Sequence, residues 1–159
     1  MDIQRLTPQE WERFRRIRLA SLKDSPGAFG STLGEVKDRR EADWRKQLVE
    51  IATFVAVREG TDIGVVRGVL ARTDPSTAFL LSMWVAPLCR RRRVGGQLIQ
   101  AVVEWARSAG LSRLVLDVAD DNLAAVALYS REGFESTGEV GTLPPPRSHI
   151  REHRRALLL

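Results

Sequence analysis

Cysteine and histidine are almost missing from this sequence. Its 159 residues include one cysteine, Cys89, and two histidines, His149 and His153. A single thiol cannot form an internal disulfide, and these three side chains do not have the spacing of a zinc-binding motif. The sequence therefore argues against a disulfide-stabilised domain and against metal chemistry.

Long apolar runs are missing as well. No stretch approaches the roughly 18 consecutive apolar residues of a membrane-spanning helix, and residues 1–5 lack the apolar stretch of a signal peptide. We therefore expect a cytoplasmic protein with no membrane partner. The length predicts one domain, residues 1–159, that is large enough to bury its own core.

Lysine is scarce, whereas arginine is abundant. Three of the 25 basic residues are lysines, so 22 are arginines, and the net charge is +5. The planar guanidinium group is suited to binding phosphate. The composition therefore favours an anionic ligand, either nucleic acid or a phosphorylated small molecule, and does not choose between them.

The hydrophobic pattern predicts alternating strands and helices in an α/β sheet of mixed direction. Strands are predicted over residues 2–6, 52–57, 63–71, 78–85 and 113–118, then from residue 134 and over residues 152–158. One helix is predicted to begin at Pro8 after a capping-box pattern. Further helices are predicted over residues 35–48, from residues 90–96 to Gly110, and over residues 122–132.

Four consecutive arginines stand where the third of these helices is predicted to begin. That end of a helix is already positive because of its free N–H groups and its dipole, so an anion should compensate it. A phosphate or diphosphate would accept hydrogen bonds from the amides, and Gly95 and Gly96 would let the backbone approach it. The alternative is a solvated basic turn, since the spacing matches neither GxGxxG nor a P-loop.

This segment and those after it resemble the cofactor-binding half of the GNAT superfamily of acetyl-CoA-dependent N-acetyltransferases. The resemblance rests, in chain order, on Val85-Ala86-Pro87, Arg90-x-x-Arg93-Val94-Gly95, Leu116-Asp117-Val118, Asn122, Ala125, Leu128-Tyr129 and Gly133-Phe134. Residues 25–32, 53–56 and 82–85 are similar to segments of bacterial members of unassigned substrate. The resemblance implies a mixed, mostly antiparallel sheet of about seven strands flanked by about four helices.

The family's chemistry implies direct acetyl transfer from acetyl-CoA, as cosubstrate and without a metal, to a primary amine of a small molecule or peptide. The residues then expected to bind the cofactor are Met83, Trp84, Val85, Arg90, Arg91, Arg92, Arg93, Val94, Gly95, Gly96, Gln97, Asn122 and Tyr129. A backbone N–H within residues 83–85 would stabilise the oxyanion.

Tyr129, the only tyrosine, is expected as the general acid; otherwise it is a core aromatic side chain. Asn122 either contacts the pantetheine arm or caps the following helix. Glu35 is the first candidate for the general base and Asp117 the second, although either fits a solvated surface carboxylate.

Arg93 departs from the family pattern, because a glycine usually stands at its position. A positive φ there, or a need for tight clearance from the phosphates, would count against cofactor binding. We expect instead a right-handed helical conformation, with the Arg93 amide still able to donate to a phosphate. Two other functions stay open: a CoA-binding protein without catalysis, and a basic nucleic-acid-binding module. The second is disfavoured because no exposed aromatic residues alternate with the basic ones. The oligomeric state is open, a homodimer included.

Overall fold

The computed structural model describes residues 1–159 and contains one sheet of seven strands. The strands are β1 (Asp2–Arg5), β2 (Ala52–Arg58), β3 (Thr61–Leu70), β4 (Thr77–Val85), β5 (Arg113–Ala119), β6 (Glu135–Thr142) and β7 (Arg151–Leu158). Their order across the sheet is β1-β2-β3-β4-β5-β7-β6. Only β4 and β5 are parallel neighbours, so the predicted mixed, mostly antiparallel sheet is confirmed.

Five α-helices accompany the sheet. They are α1 (Trp11–Asp24), α2 (Leu33–Val36), α3 (Glu41–Glu50), α4 (Val94–Ser108) and α5 (Leu123–Arg131). None of them combines the length and the apolar character needed to cross a membrane.

The prediction of one continuous helix over residues 35–48 is wrong. The backbone N–H of Arg40 donates to the Asp43 side chain at 3.1 Å, which starts α3 as a separate helix. The indole N–H of Trp44 donates to the Arg39 carbonyl at 3.2 Å and holds the turn before it. Local side-chain bonds to the backbone therefore outweigh the helical tendency of residues 37–40.

The helices cover both faces of the sheet, with a separate apolar cluster on each. On one face α4 buries Leu98, Ile99 and Val102 against the strands. On the other, Phe14 of α1 meets Trp44 of α3 edge to face, with ring centroids 5.4 Å apart. Burial of one such side chain contributes about 1.5–3 kcal/mol to folding, so both clusters fix the sheet that carries the site.

The sheet opens in the middle, between β4 and β5. These strands pair only at their beginnings, where Thr77, Ala78 and Phe79 face residues 113–115. Farther on, β4 contains a bulge. Val65 of β3 pairs with Trp84 and Arg67 pairs with Leu81, so residues 82 and 83 of β4 lie opposite a single residue of β3. Because β4 and β5 diverge beyond Phe79, a cleft forms with one strand on each side.

Candidate functional site

A cavity of about 1020 Å³ lies in this cleft. Residues 79–85 of β4 and 116–119 of β5 form two of its walls, and the beginning of α4, much of α5 and the loop after α1 complete it. The cavity therefore joins the predicted cofactor segment to parts of the chain far away in sequence.

The first turn of α4 supplies free backbone donors to the cavity. The N–H groups of Val94, Gly95 and Gly96 precede the first possible intrahelical bond, and all three residues line the cavity. Together with the positive end of the helix dipole, they suit an anionic group. Gln97 is exposed and lies outside the cavity lining, and its N–H donates to the Arg93 carbonyl at 3.2 Å.

Both glycines of this turn are explained by the neighbouring helix. A Cβ on Gly95 would lie 2.8 Å from Cδ2 of Leu128 and 3.1 Å from Cε of Met83. A Cβ on Gly96 would lie 2.7 Å from Oε1 of Glu132. Besides the predicted approach of a phosphate, these glycines let α4 and α5 pack closely.

The expected right-handed conformation of Arg93 is wrong. Arg93 has φ 64° and ψ 11°, in the left-handed region, and it is the residue from which α4 begins. The chain reaches it from Arg90, which is extended at φ −71° and ψ 158°, and must reverse sharply into the helix. A non-glycine residue in this conformation costs about 1–2 kcal/mol, which explains why glycine is usual here.

The four arginines do not share one role. Arg90 donates from Nε to the Val85 carbonyl at 2.9 Å and from Nη2 to Asp24 at 2.8 Å, so its charge is already paired. Arg91 and Arg93 are exposed at the rim, line the cavity and form no ion pair with the chain. Arg92 is exposed outside the lining. Two unpaired guanidinium groups therefore stand beside the free amides of α4.

Tyr129 reaches the cavity from α5 while packing in the core. It is 7% exposed, and its ring contacts Phe134 at an angle of 63° with centroids 5.9 Å apart. Burial raises the pKa of the phenol well above its ordinary value, and its hydroxyl has no hydrogen-bond partner within the chain. The tyrosine is thus a protonated, unpartnered donor at neutral pH.

Asn122 caps α5, since its Oδ1 accepts a hydrogen bond from the Ala125 N–H at 3.2 Å. It also lines the cavity, so the cap does not exclude contact with a ligand.

The three expected residues of β4 differ in their surroundings. Met83 and Val85 are half-buried in the cavity lining. Trp84 also lines it but is buried in the cluster under α1, and its indole N–H donates to Asp24 at 3.0 Å. The preceding Ser82 accepts a hydrogen bond from Nε of Arg67 at 2.8 Å, which gives this serine a polar partner within the protein.

The two candidate bases differ in their position relative to the cavity. Glu35 is exposed on α2 and lies outside the cavity lining, so it is not brought together with Tyr129. Asp117 lines the cavity, but both of its oxygens accept hydrogen bonds from Arg154, at 2.9 and 3.2 Å.

A carboxylate not predicted from the sequence also lines the cavity. Glu152 of β7 is half-buried there and forms no ion pair. Its pKa is raised, chiefly by burial and then by the negative charge of Asp117. Residues 151–155 are all basic or acidic, so no feature of the sequence distinguished Glu152 from its neighbours.

Two buried arginines were missed as well. Arg18 of α1 and Arg67 of β3 are 5% and 8% exposed, and both line the cavity. The sequence held one signal for Arg67, because it interrupts an otherwise apolar run in β3. Arg18 gave none, since it stands among several arginines of α1.

Comparison with known proteins identifies the relatives of this chain. A family model described as "Acetyltransferase (GNAT) family" matches residues 11–134, more than half of the chain. The IAA acetyltransferase of Azospirillum brasilense is 33% identical over 97 residues, which cover 60% of this chain and 62% of that protein, less than two thirds of its length. The aminoglycoside N(6')-acetyltransferase type 1 of Salmonella enteritidis is 27% identical over 146 residues, 88% of this chain and 95% of that protein.

Solved structures share the fold. The structure of yncA from Salmonella typhimurium, which contains its cofactor acetyl-CoA, has a TM-score of 0.81 at 19% identity and covers 100% of this chain and 94% of that chain. The likeness confirms the architecture that the resemblance implied.

Proposed function

The chain belongs to the Acetyltransferase (GNAT) family, and on that premise we propose that it transfers an acetyl group from acetyl-CoA to a primary amine of a small molecule or peptide. The observation that carries the proposal is the cleft between β4 and β5, which joins free helix amides to a buried, unpartnered tyrosine. A cosubstrate with an anionic diphosphate and a narrow thioester arm matches both features.

The chain's own groups fit acetyl-CoA as follows. The amides of Val94, Gly95 and Gly96 would bind the diphosphate, and Arg91 and Arg93 would offset its charge. The arm would follow the free edge of β4 along residues 83–85, with Asn122 on the other side of the cleft. Acetyl-CoA supplies the activated acetyl group.

The acceptor must lose a proton before it attacks. An alkyl amine has a pKa near ~10.4 and is almost entirely protonated at neutral pH. In this proposal Glu152 replaces Glu35 as the base, because it lines the cavity and has no competing partner. Burial moves the pKa of Glu152 upward, toward the operating pH, where a general base is most effective.

Tyr129 acts on the leaving group. As the N–C bond forms and the C–S bond breaks, negative charge builds on sulfur, and the hydroxyl of Tyr129 donates its hydrogen bond and then its proton there. Because burial raises the pKa of this phenol, it stays in the donating form throughout the neutral range. The alkylammonium acceptor releases one proton to solvent before it attacks, and Glu152 accepts the second proton of the nitrogen as the N–C bond forms. Glu152 thus ends the cycle protonated and Tyr129 deprotonated, and transfer of one proton from Glu152 to Tyr129 through solvent restores both.

A Tyr129→Phe variant tests this assignment. We expect kcat to fall about 100-fold, since general acid catalysis typically contributes at least that much. The dissociation constant of acetyl-CoA should stay within about threefold, because the ring and its packing are kept. Calorimetry with acetyl-CoA measures binding, and thiol release across a panel of amines measures turnover.

Full turnover by Tyr129→Phe would remove the tyrosine from the mechanism. Wild-type protein that binds acetyl-CoA and releases no thiol with any amine would instead be a CoA-binding protein without catalysis. Wild-type protein that does not bind acetyl-CoA would contradict the proposal as a whole.

A further inference from the structure

Two buried cations belong to the cavity but not to the part assigned to acetyl-CoA. Arg18 comes from α1 and Arg67 from β3, whereas the diphosphate site is formed by α4. The two guanidinium groups are close enough for the charge of Arg18 to lower the pKa of Arg67. The cavity therefore contains a second positive region, built from other segments of the chain.

Neither cation has a carboxylate partner. Arg67 donates to two neutral oxygens, Oγ of Ser82 at 2.8 Å and Oε1 of Gln47 at 2.9 Å. Nη1 of Arg18 is buried and has no hydrogen-bond partner at all. No ion pair of the protein includes either residue.

Each of the two arginines also lies over an aromatic ring. Arg18 lies over the ring of Phe29 at 5.0 Å from its centroid, and Arg67 lies over Phe14 at 5.4 Å. Such contacts hold the planar groups in place but do not neutralise them.

This arrangement is costly for the protein alone. Burial lowers the pKa of Arg18 to about 10 and that of Arg67 to about 9, so both stay charged at neutral pH despite their desolvation. Buried charges in proteins are normally paired. A pair of unneutralised guanidinium groups beside an open cavity is the pattern expected where an anionic ligand completes the site.

We propose that Arg18 and Arg67 bind an anionic group, a carboxylate or a phosphonate, on the amine that accepts the acetyl group. The proposal rests on the function proposed above and names the class of its acceptor. Arg67 holds Ser82, the residue immediately before the segment of β4 that would carry the thioester. The anion would thus be bound near the reacting amine, as in a small amino acid-like acceptor.

The first test measures binding and does not depend on turnover. In the presence of CoA, we would compare γ-aminobutyrate, its carboxamide and 3-aminopropylphosphonate by calorimetry on the wild-type chain. The carboxylate or the phosphonate should bind at least about 10-fold more tightly than the neutral carboxamide, because a hydrogen bond to a charged group replaces one to a neutral group. The preferred anion identifies its chemistry.

Variants then localise the effect. Arg18→Met and Arg67→Met should each remove most of the preference for the anionic ligand, whereas Arg16→Met, an exposed charge on the same helix, should leave it unchanged. Arg67→Gln and Arg18→Gln serve if a methionine variant does not fold. The proposal is overturned if neither anion is preferred by the wild type, or if Arg16→Met weakens the preference as much as the buried substitutions.

A second test uses turnover and separates this inference from the function beneath it. Thiol release from acetyl-CoA is measured for each amine at an equal concentration of the form whose amino group is unprotonated. Higher kcat/KM for the anionic amines supports both proposals. Equal turnover of anionic and neutral amines would leave the acetyltransferase in place and reject the anionic acceptor. Failure of the wild type to bind acetyl-CoA would instead reject the acetyltransferase, and with it the role of the anionic ligand as an acceptor.

Discussion

The two ends of the cavity are built in different ways. The proposed cofactor end takes its main-chain groups from two short segments that follow each other closely in the chain, residues 83–85 and 93–96, and α5 closes it from the side. The proposed acceptor end, comprising Arg18, Arg67, Glu152 and residues 28–31, presents side chains from elements spread over the whole chain. In the proposed function, backbone geometry therefore binds the shared cosubstrate, whereas separate side chains bind the acceptor.

The acceptor end also depends on a long-range connection between loops. Arg147, in the loop between β6 and β7, donates to the carbonyls of Pro26, Phe29 and Gly30 at 2.6–2.8 Å. These bonds join residues more than 115 positions apart and hold the loop after α1 over the cavity. At the proposed cofactor end the connection is shorter, because only residues 86–93 separate β4 from α4.

Glu152→Gln should have the largest effect of the substitutions considered, and it should separate turnover from cofactor binding. We expect kcat/KM to fall about 100-fold, because the base is lost, while acetyl-CoA binds as before. Glu135→Gln, an exposed carboxylate of β6, is the matched control and should have no effect.

The pH dependence of kcat/KM in this variant tests more directly whether Glu152 is the base. The pKa of Glu152 is raised above its ordinary value of 4.5. Below that raised pKa, protonation of Glu152 should add a further decrease of about tenfold in wild-type kcat/KM for each unit of pH. In Glu152→Gln only deprotonation of the amine should remain. A profile that is the same in both proteins would assign the base to another group.

Gly95→Val should instead disrupt the proposed cofactor end of the cavity. Its side chain would occupy the space of Leu128 Cδ2 and Met83 Cε, which lie 2.8 and 3.1 Å from the first added carbon. We expect a loss of stability of about 1–3 kcal/mol and acetyl-CoA binding weakened about tenfold. Thermal unfolding and calorimetry measure the two effects.

The control for that variant is Gly141→Val, where an added Cβ meets no atom within 4 Å. If Gly95→Val binds acetyl-CoA as tightly as this control, close packing of α4 on α5 does not shape the diphosphate site.

Of these substitutions, Arg93→Gly should have the smallest effect, and it should raise the stability of the protein and not lower it. Glycine adopts φ 64° without strain, so the free energy of unfolding should rise by about 1 kcal/mol. The amides of the first turn remain, so the dissociation constant of acetyl-CoA should change by no more than about threefold for one lost exposed charge. Chemical denaturation monitors stability.

Arg92→Gly removes the same charge at a neighbouring position that is not left-handed, and it should lower stability instead. If both variants shift stability equally, charge repulsion among the arginines, and not the backbone at Arg93, would explain the gain.

Much of the fold could be predicted because it depends on local patterns. The apolar face of α4, from Leu98 to Ala106, was clear from its spacing and is buried as expected. The cap formed by Asn122 follows from residue type alone. The break between α2 and α3 could not be predicted, because it depends on bonds from Arg40 and Trp44 to nearby groups that the spacing does not reveal.

The site was predictable only where the main chain defines it. The first turn of α4 was found from glycines and arginines in a fixed order, yet the left-handed conformation of Arg93 was missed because a charged side chain gives no sign of it. Glu35 was chosen by its nearness in sequence to the acceptor-side loop, and it lies outside the cavity lining. Glu152 and Arg67 enter that lining only through sheet pairing across the whole chain.

Amide hydrogen exchange over residues 93–97, with and without acetyl-CoA, tests the central claim most directly. In the free protein the amides of Val94, Gly95 and Gly96 should exchange rapidly, because they have no intrahelical partner. Saturating acetyl-CoA should slow their exchange at least about tenfold while leaving β6 unchanged. Unaltered exchange of these three amides under saturation would contradict the assignment of the α4 terminus as the diphosphate site.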